Sequence, residues 1–138
     1  MSEVDDWNRK IIEEFHTNAG KVGGMFEGVP VLLLHHTGAK SGTERVNPLA
    51  YQPDGDRYAV FGSKGGAPTN PDWYHNLKAH PDVTVEVGTD TIPVRARVAE
   101  GAEREKIWTK QKANIPTFAE YEQKTGGREI PVVILEPR

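Results

Sequence analysis

Cysteine is absent from this chain. That removes disulfides, thiolate nucleophiles, CxxC redox pairs and iron–sulfur clusters from its chemistry. A long apolar run is also missing. The longest, Val29 to Leu34, is interrupted by Pro30 and falls far short of a membrane span. No block of one charge sign occurs, and the net charge of the 138 residues is −3, so nothing points to nucleic acid as a partner. There is no internal repeat and no low-complexity stretch. The first residues, Met1-Ser2-Glu3-Val4-Asp5-Asp6, lack the basic-then-apolar order of a secretory leader. The expected location is the cytoplasm.

Several motifs are missing as well. Neither GxxxxGK[ST] nor GxGxxG occurs, so a P-loop and a Rossmann dinucleotide site are unsupported. HExxH is absent, and His35 and His36 are neighbours whose side chains leave a strand on opposite faces, so no metal is expected. His75 and His80 flank a short helical segment and read as surface or capping residues. No serine stands in GxSxG, and no carboxylate pair stands in an apolar pattern. A chain with so little acid–base apparatus suits an enzyme whose cofactor performs the chemistry.

Two Gly-framed basic loops are what the chain does offer. The first is Thr37-Gly38-Ala39-Lys40-Ser41-Gly42, with Arg45 just beyond; the second is Gly62-Ser63-Lys64-Gly65-Gly66, running into Asn70-Pro71-Asp72-Trp73-Tyr74. Glycine lets backbone N–H groups converge, and Lys, Arg and Ser add charge and donors. Each loop reads either as an anion clamp or as a polar turn. Trp73, Tyr74, Phe118 and Tyr121 line an organic pocket or anchor the core.

Apolar spacing gives the elements. Trp7, Ile11, Ile12 and Phe15 share one helix face, capped by Asp5 or Asp6 and ending near Asn18-Ala19-Gly20. Gly20 to Gly28 is irregular. Val29 to His35 is apolar on both faces and reads as a central strand. Val46–Gln52 and Tyr58–Phe61 flank Asp54-Gly55-Asp56 as a hairpin, with Pro48 marking an edge or a bulge. Asn70 and Pro71 start a helix that buries Trp73 and Leu77. Val83 to Val87 and Ile92 to Val98 alternate around Gly88-Thr89-Asp90 as a second hairpin. A helix follows over Glu100–Lys112. Thr117 to Glu120 reads as a capping box, and Ile130–Leu135 as a last strand, with Pro131 at an edge or a strand start. About six strands and three or four helices, hairpin-linked, predict an α+β fold built on an antiparallel barrel with peripheral helices.

The strings TGAKSG, RVNPL, FGSKGG, NPDWYHNLKAHP and IPVVILEP, in this order from about Val29 to the C-terminus, resemble the deazaflavin-dependent nitroreductase family. That resemblance implies a split β-barrel, like those that bind FMN, and coenzyme F420 as cofactor. The length suits one domain over 1–138, with a helix and Gly-rich lead-in over 1–28 and, by the resemblance, the barrel over 29–138. By the same resemblance, Lys40, Ser41 and Arg45 meet the cofactor's anionic tail, and Asn47 and Pro48 lie beside the deazaflavin. Gly62, Ser63, Lys64, Gly65 and Gly66 hold the ring and phosphate, while Trp73 and Asn76 close over the cofactor.

Where the nitroimidazole-activating member has a tyrosine after RVNPL, this chain has Ala50. Where that member carries three spaced tyrosines, this chain has Ile115, Phe118 and Tyr121. The N-terminal helix is shorter and more acidic than that member's membrane-associated front end, so membrane attachment is not expected. The implied function is hydride transfer from F420H2 to an activated C=C bond, a quinone or a nitro-type substrate, the proton coming from Tyr121 or from water. A non-catalytic F420 carrier and an FMN-binding split-barrel oxidoreductase are the alternatives. A small molecule is the expected partner, and the chain is expected as a monomer or homodimer.

Overall fold

The computed structural model describes residues 3–23 and 29–138. Helix α1 spans Glu3–Thr17 and leads to strand β1 (Val31–Thr37). Strands β2 (Glu44–Asp54) and β3 (Arg57–Phe61) form a hairpin. A 3-10 turn (Lys64–Gly66) and helix α2 (Asp72–Ala79) follow. Then come β4 (Asp82–Val87), β5 (Asp90–Val98), α3 (Gly101–Asn114), α4 (Thr117–Lys124) and β6 (Val132–Pro137). All strand pairings are antiparallel, and they close a barrel in the order β1-β2-β3-β6-β5-β4. This is the α+β antiparallel barrel with peripheral helices that the hairpin pattern predicts, and the split barrel that the family resemblance implies.

Strand alternation sorts the side chains into layers. Leu32 and Leu34 of β1 point inward with Val60, Val83, Val85, Val94, Val133 and Leu135, and Trp73 and Leu77 of α2 join this cluster. The opposite face of β1, Val31 and Leu33, lies under Phe15 of α1 and Val22. Ala59, Phe61, Val132 and Ile134 present their outer face to Ile107 and Trp108 of α3 and Phe118 of α4. β1 and β6 are thus covered on both sides, which is why their sequences are apolar without alternation. Each fully buried Leu or Ile here contributes roughly 1.5–3 kcal/mol of transfer free energy.

The long strand β2 changes partner along its length. Residues 44–50 pair with β1, and residues 51–54 pair with β3. The other edge of 44–50 carries no β3 pairing. Pro48 falls on that one-sided stretch, where a missing N–H is tolerated. Behind β1, the chain leaving α1 touches the β4–β5 turn so closely that a Cβ on Gly20 would lie 2.6 Å from Gly88 Cα. On the same side, Glu86 of β4 accepts from His35 Nε2 at 2.6 Å and from His16 Nε2 of α1 at 2.9 Å. These contacts seat α1 against the barrel.

Several local expectations need correction. Helix α1 already begins at Glu3, so Asp5 and Asp6 lie inside its first turns rather than capping it. Residues 24–28 of the expected irregular lead-in fall outside the described residues. The residue before α2 is Pro71, with no side-chain cap, because Asn70 Oδ1 accepts from Arg128 instead, at 2.6 Å. The Thr117–Glu120 capping box does not form: Pro116 precedes α4 and makes no side-chain cap. Of the two readings of Pro131, the strand start holds, since β6 begins at Val132; the edge does not, since β6 pairs with both β3 and β5.

Candidate functional site

The one-sided stretch of β2 opens a groove of about 690 Å³, within the range of cofactor and ligand sites. Arg45, Asn47, Pro48 and Ala50 of β2 form one wall. Phe61, Ser63 and Lys64, at the end of β3 and in the turn after it, form the facing wall. Helix α2 contributes Asp72 and Trp73, α4 contributes Phe118 and Tyr121, and α1 contributes Trp7, Arg9 and Ile12. The floor is apolar and the lips carry cations. Arg45 and Lys64 are both exposed.

Other residues named from the sequence lie elsewhere. Lys40 and Ser41 sit exposed at the tip of the β1–β2 turn, outside the groove lining. Ser41 Oγ accepts from Thr43 N–H, Gly42 N–H donates to Gly38 O, and Gly38 N–H donates to Thr43 O. These bonds close the tip as a polar turn. Ile115 packs on the α3–α4 cluster rather than lining the groove. Asn76 is buried beneath the groove and holds Ala39 N–H at 2.9 Å.

The second loop departs from the expected display of glycine N–H groups. Gly62 N–H donates to Pro131 O, and Gly66 N–H donates to Ser63 O, each at 2.9 Å. A Cβ on Gly66 would meet Lys124 Cβ at 2.7 Å and Tyr121 O at 3.1 Å. Gly66 therefore serves to seat the turn on α4. Lys64 takes the left-handed conformation, with φ +47°, and Gly66 two residues on also has a positive φ, +86°. A non-glycine residue held there is strained, and such strain concentrates at functional sites.

Arg128 explains how the strained turn is held. Its Nε donates to Ala67 O (3.1 Å), and Nη2 donates to Ala67 O (2.8 Å) and Ser63 O (2.9 Å). Its Nη1 donates to Gly62 O (2.9 Å) and Asn70 Oδ1 (2.6 Å). All five donors of the guanidinium are used. Burial lowers its pKa from the usual arginine value. Among the described residues no carboxylate is bonded to it, and its charge lies beneath the loop that carries Lys64. Nothing in the sequence singled out this residue; its partners come from a segment more than fifty positions away.

His36, considered from the sequence only as a metal ligand, belongs to the groove. It is buried at the inner end of β1 and lines the groove beside Asn47. Its Nε2 lies 2.6 Å from Asn47 Oδ1, and its Nδ1 lies 3.0 Å from Asn76 Nδ2. Burial lowers its pKa, and the Arg45 and His35 charges act in the same direction, against the Asn47 hydrogen bond and Asp72. The signal in the sequence was its parity with Leu32 and Leu34, which turns it inward.

An apolar floor between cationic lips fits an elongated molecule with a flat ring and an anionic tail. The fold and the groove together define a cofactor-binding split barrel. The sequence profile described as F420H(2)-dependent quinone reductase matches residues 7–137. An F420H(2)-dependent quinone reductase of Mycobacterium tuberculosis is 41% identical over 123 residues, covering 86% of this chain and 82% of the relative. A solved F420-H2 dependent reductase (FDR-A) shares 45% identity at a TM-score of 0.70, over 78% of this chain and 94% of its own. Another solved structure, described as a domain-swapped dimer, shares 40% identity at a TM-score of 0.72, over 97% of this chain and 100% of its own. The chain belongs to the F420H(2)-dependent quinone reductase family; it is an oxidoreductase, and its cofactor is coenzyme F420. Among the described residues, no helix is long and apolar enough to cross a membrane.

Two outcomes follow from this geometry. Arg128→Lys keeps the charge but loses the five-donor fork, and it should lower stability by about 2–3 kcal/mol in urea unfolding. The second concerns pH. The folded pKa of His36 lies below that of the unfolded chain, near 6.5. Above that value both states are neutral; as the pH falls below it, the unfolded chain takes up the proton first and stability declines. Urea unfolding at pH 7.5 and 5.5 should therefore show a larger loss for the wild type than for His36→Gln.

Proposed function

We propose that this chain reduces quinones with F420H2 bound in the groove between β2 and the turn after β3. The observation that carries this is the meeting of cationic lips, an apolar floor and a single phenol in one groove, drawn from elements far apart in sequence. In reduced form the cofactor supplies a hydride; a quinone needs that hydride and one proton to become a quinol.

Each part of the groove has a role in this scheme. Pro48, Ala50, Phe61 and Trp73 give the ring an apolar seat and keep water from the transfer site. Positioning of this kind accounts for a large share of rate acceleration. Ser63 and Lys64 hold the phosphate, with Arg128 below adding positive potential. Arg45 leads the acidic tail out of the groove toward Lys40 at the β1–β2 tip. Gly62, Gly65 and Gly66 shape the turn that presents Ser63 and Lys64. Asn76 supports the floor without touching the ligand. Phe118 and Tyr121 face the acceptor, and the half-buried Tyr121 hydroxyl holds the proton that the quinone takes up. Ala50 and Phe118 widen the acceptor side relative to tyrosine. The protein acts as a monomer or homodimer in the cytoplasm; the domain-swapped relative supports the dimer.

Fluorescence titration with F420 tests the clamp. Lys64→Ala and Arg45→Ala should each weaken binding by roughly 1.5–3 kcal/mol. Lys40→Ala should matter less, and only for the long-tailed cofactor. Affinity should fall with added salt. FMN, with one phosphate and no acidic tail, should bind more weakly. Binding that none of these changes affects would place the cofactor elsewhere. For catalysis, Tyr121→Phe should lower kcat for a soluble quinone tenfold or more, with the F420 dissociation constant unchanged. Tight F420 binding without consumption of F420H2 by quinones would make the chain a carrier instead.

A further inference from the structure

Beneath the groove runs a line of hydrogen bonds with a direction built into it. Ala39 N–H donates to Asn76 Oδ1 at 2.9 Å. A backbone N–H can only donate, so that oxygen is the acceptor and the Asn76 amide nitrogen is the atom facing His36 Nδ1, at 3.0 Å. An amide nitrogen has only hydrogens to offer, so Nδ1 accepts and carries no proton. The proton of the neutral ring then sits on Nε2 and is donated to Asn47 Oδ1 at 2.6 Å. With its oxygen committed to the ring, Asn47 turns its NH2 the other way. Asn47 is half-buried and lines the groove. One end of the line is a backbone group that cannot be reversed; the other is a side-chain donor at the ligand site.

We infer that His36 and Asn76 are positioning residues that lock the Asn47 carboxamide as a hydrogen-bond donor into the groove, where it selects a ring edge bearing a carbonyl oxygen. This rests on the function proposed above. Two molecules of that function carry such an edge, the deazaflavin and the quinone, and the experiment separates them. A donor held by a buried relay costs little reorganisation when the ligand arrives. Asn47 free to rotate would offer its oxygen as readily as its nitrogen and would repel the same carbonyl edge half the time.

The charged and titratable neighbours of His36 come from three elements: His35 on β1 itself, Arg45 on β2 and Asp72 on α2. Arg45 and His35 oppose a proton on the ring and Asp72 favours one. The ring's enclosure adds to the first pair, consistent with the single-proton ring that the relay requires. A doubly protonated ring would set Nδ1–H against the Asn76 NH2 and break the link to Ala39.

The first measurement is made on the ligand-free full chain. Long-range proton–nitrogen NMR at pH 7.5 should show His36 neutral with its proton on Nε2. A proton on Nδ1, or on both nitrogens, would overturn the inference without any variant being made. The second measurement uses Asn47→Asp, which keeps the acceptor toward His36 and replaces the donor by an oxygen. The dissociation constant for oxidised F420 should rise at least tenfold if the cofactor carries the recognised edge. If the quinone carries it, the KM for menadione should rise by the same factor with F420 binding unchanged. Both constants staying within twofold of the wild type would refute the donor role.

A third arm separates positioning from mere support. In the wild type, adding the recognised ligand should move the Asn47 side-chain NH2 proton signals downfield. In a folded His36→Phe variant that shift should be lost; a shift that persists there would remove His36 from the role. A wild-type chain that binds neither F420 nor menadione overturns the functional proposal and the donor with it. A wild type that binds, beside an Asn47→Asp variant that binds equally well, overturns the donor alone.

Discussion

The groove exists because β2 does not keep one partner. Its first seven residues pair with β1 and its last four with β3. Had the β3 pairing continued along 44–50, that edge would have been sealed by backbone hydrogen bonds. Instead the edge stands open, and the turn after β3 swings away to face it across the groove. The apolar interior closes the barrel elsewhere, so this opening is compatible with a well-packed core. Pro48, which cannot donate to a ladder, stands on this stretch.

Electrostatics then follow from who satisfies whom. The glycine N–H groups of both loops that have described partners are spent within the protein. The charged side chains that line the groove are the cations Arg9, Arg45 and Lys64, with one carboxylate, Asp72. Arg128 completes the arrangement by taking four bonds to three loop carbonyls and one to Asn70. It occupies the carbonyls of the second loop and places a positive charge beneath that loop. The left-handed Lys64 is the conformational cost of that placement.

Much of the fold was legible. Alternation placed both hairpins, the double-faced apolar run of Val29 to His35 marked β1 as central, and the helical spacing of Trp7, Ile11 and Phe15 marked α1; the central place of β6 was not legible, because Pro131 reads equally as an edge or a strand start. Caps were less legible. Asn70 looks like a helix cap in isolation, but a guanidinium from the far end of the chain claims its oxygen. Thr117 to Glu120 looks like a capping box, yet Pro116 already sits at that boundary. Of the candidate site, the string of motifs led to the family, and Arg45, Asn47, Pro48, Ala50, Ser63, Lys64, Trp73, Phe118 and Tyr121 do converge on one groove. Lys40, Ser41, Ile115 and Asn76 look equivalent to them in the sequence but do not line it.

The sequence by itself determined which segments become strands, which faces they bury and which family the chain joins, because periodicity and motif order are local properties that survive any packing. Only the tertiary structure decided that β2 would be left half-paired, that Arg128 would hold the second loop and that His36 would face Asn47 and Asn76. Those outcomes depend on hydrogen bonds between residues eleven to more than sixty positions apart. Such partners are chosen by the closure of the barrel, and no neighbouring residue announces them.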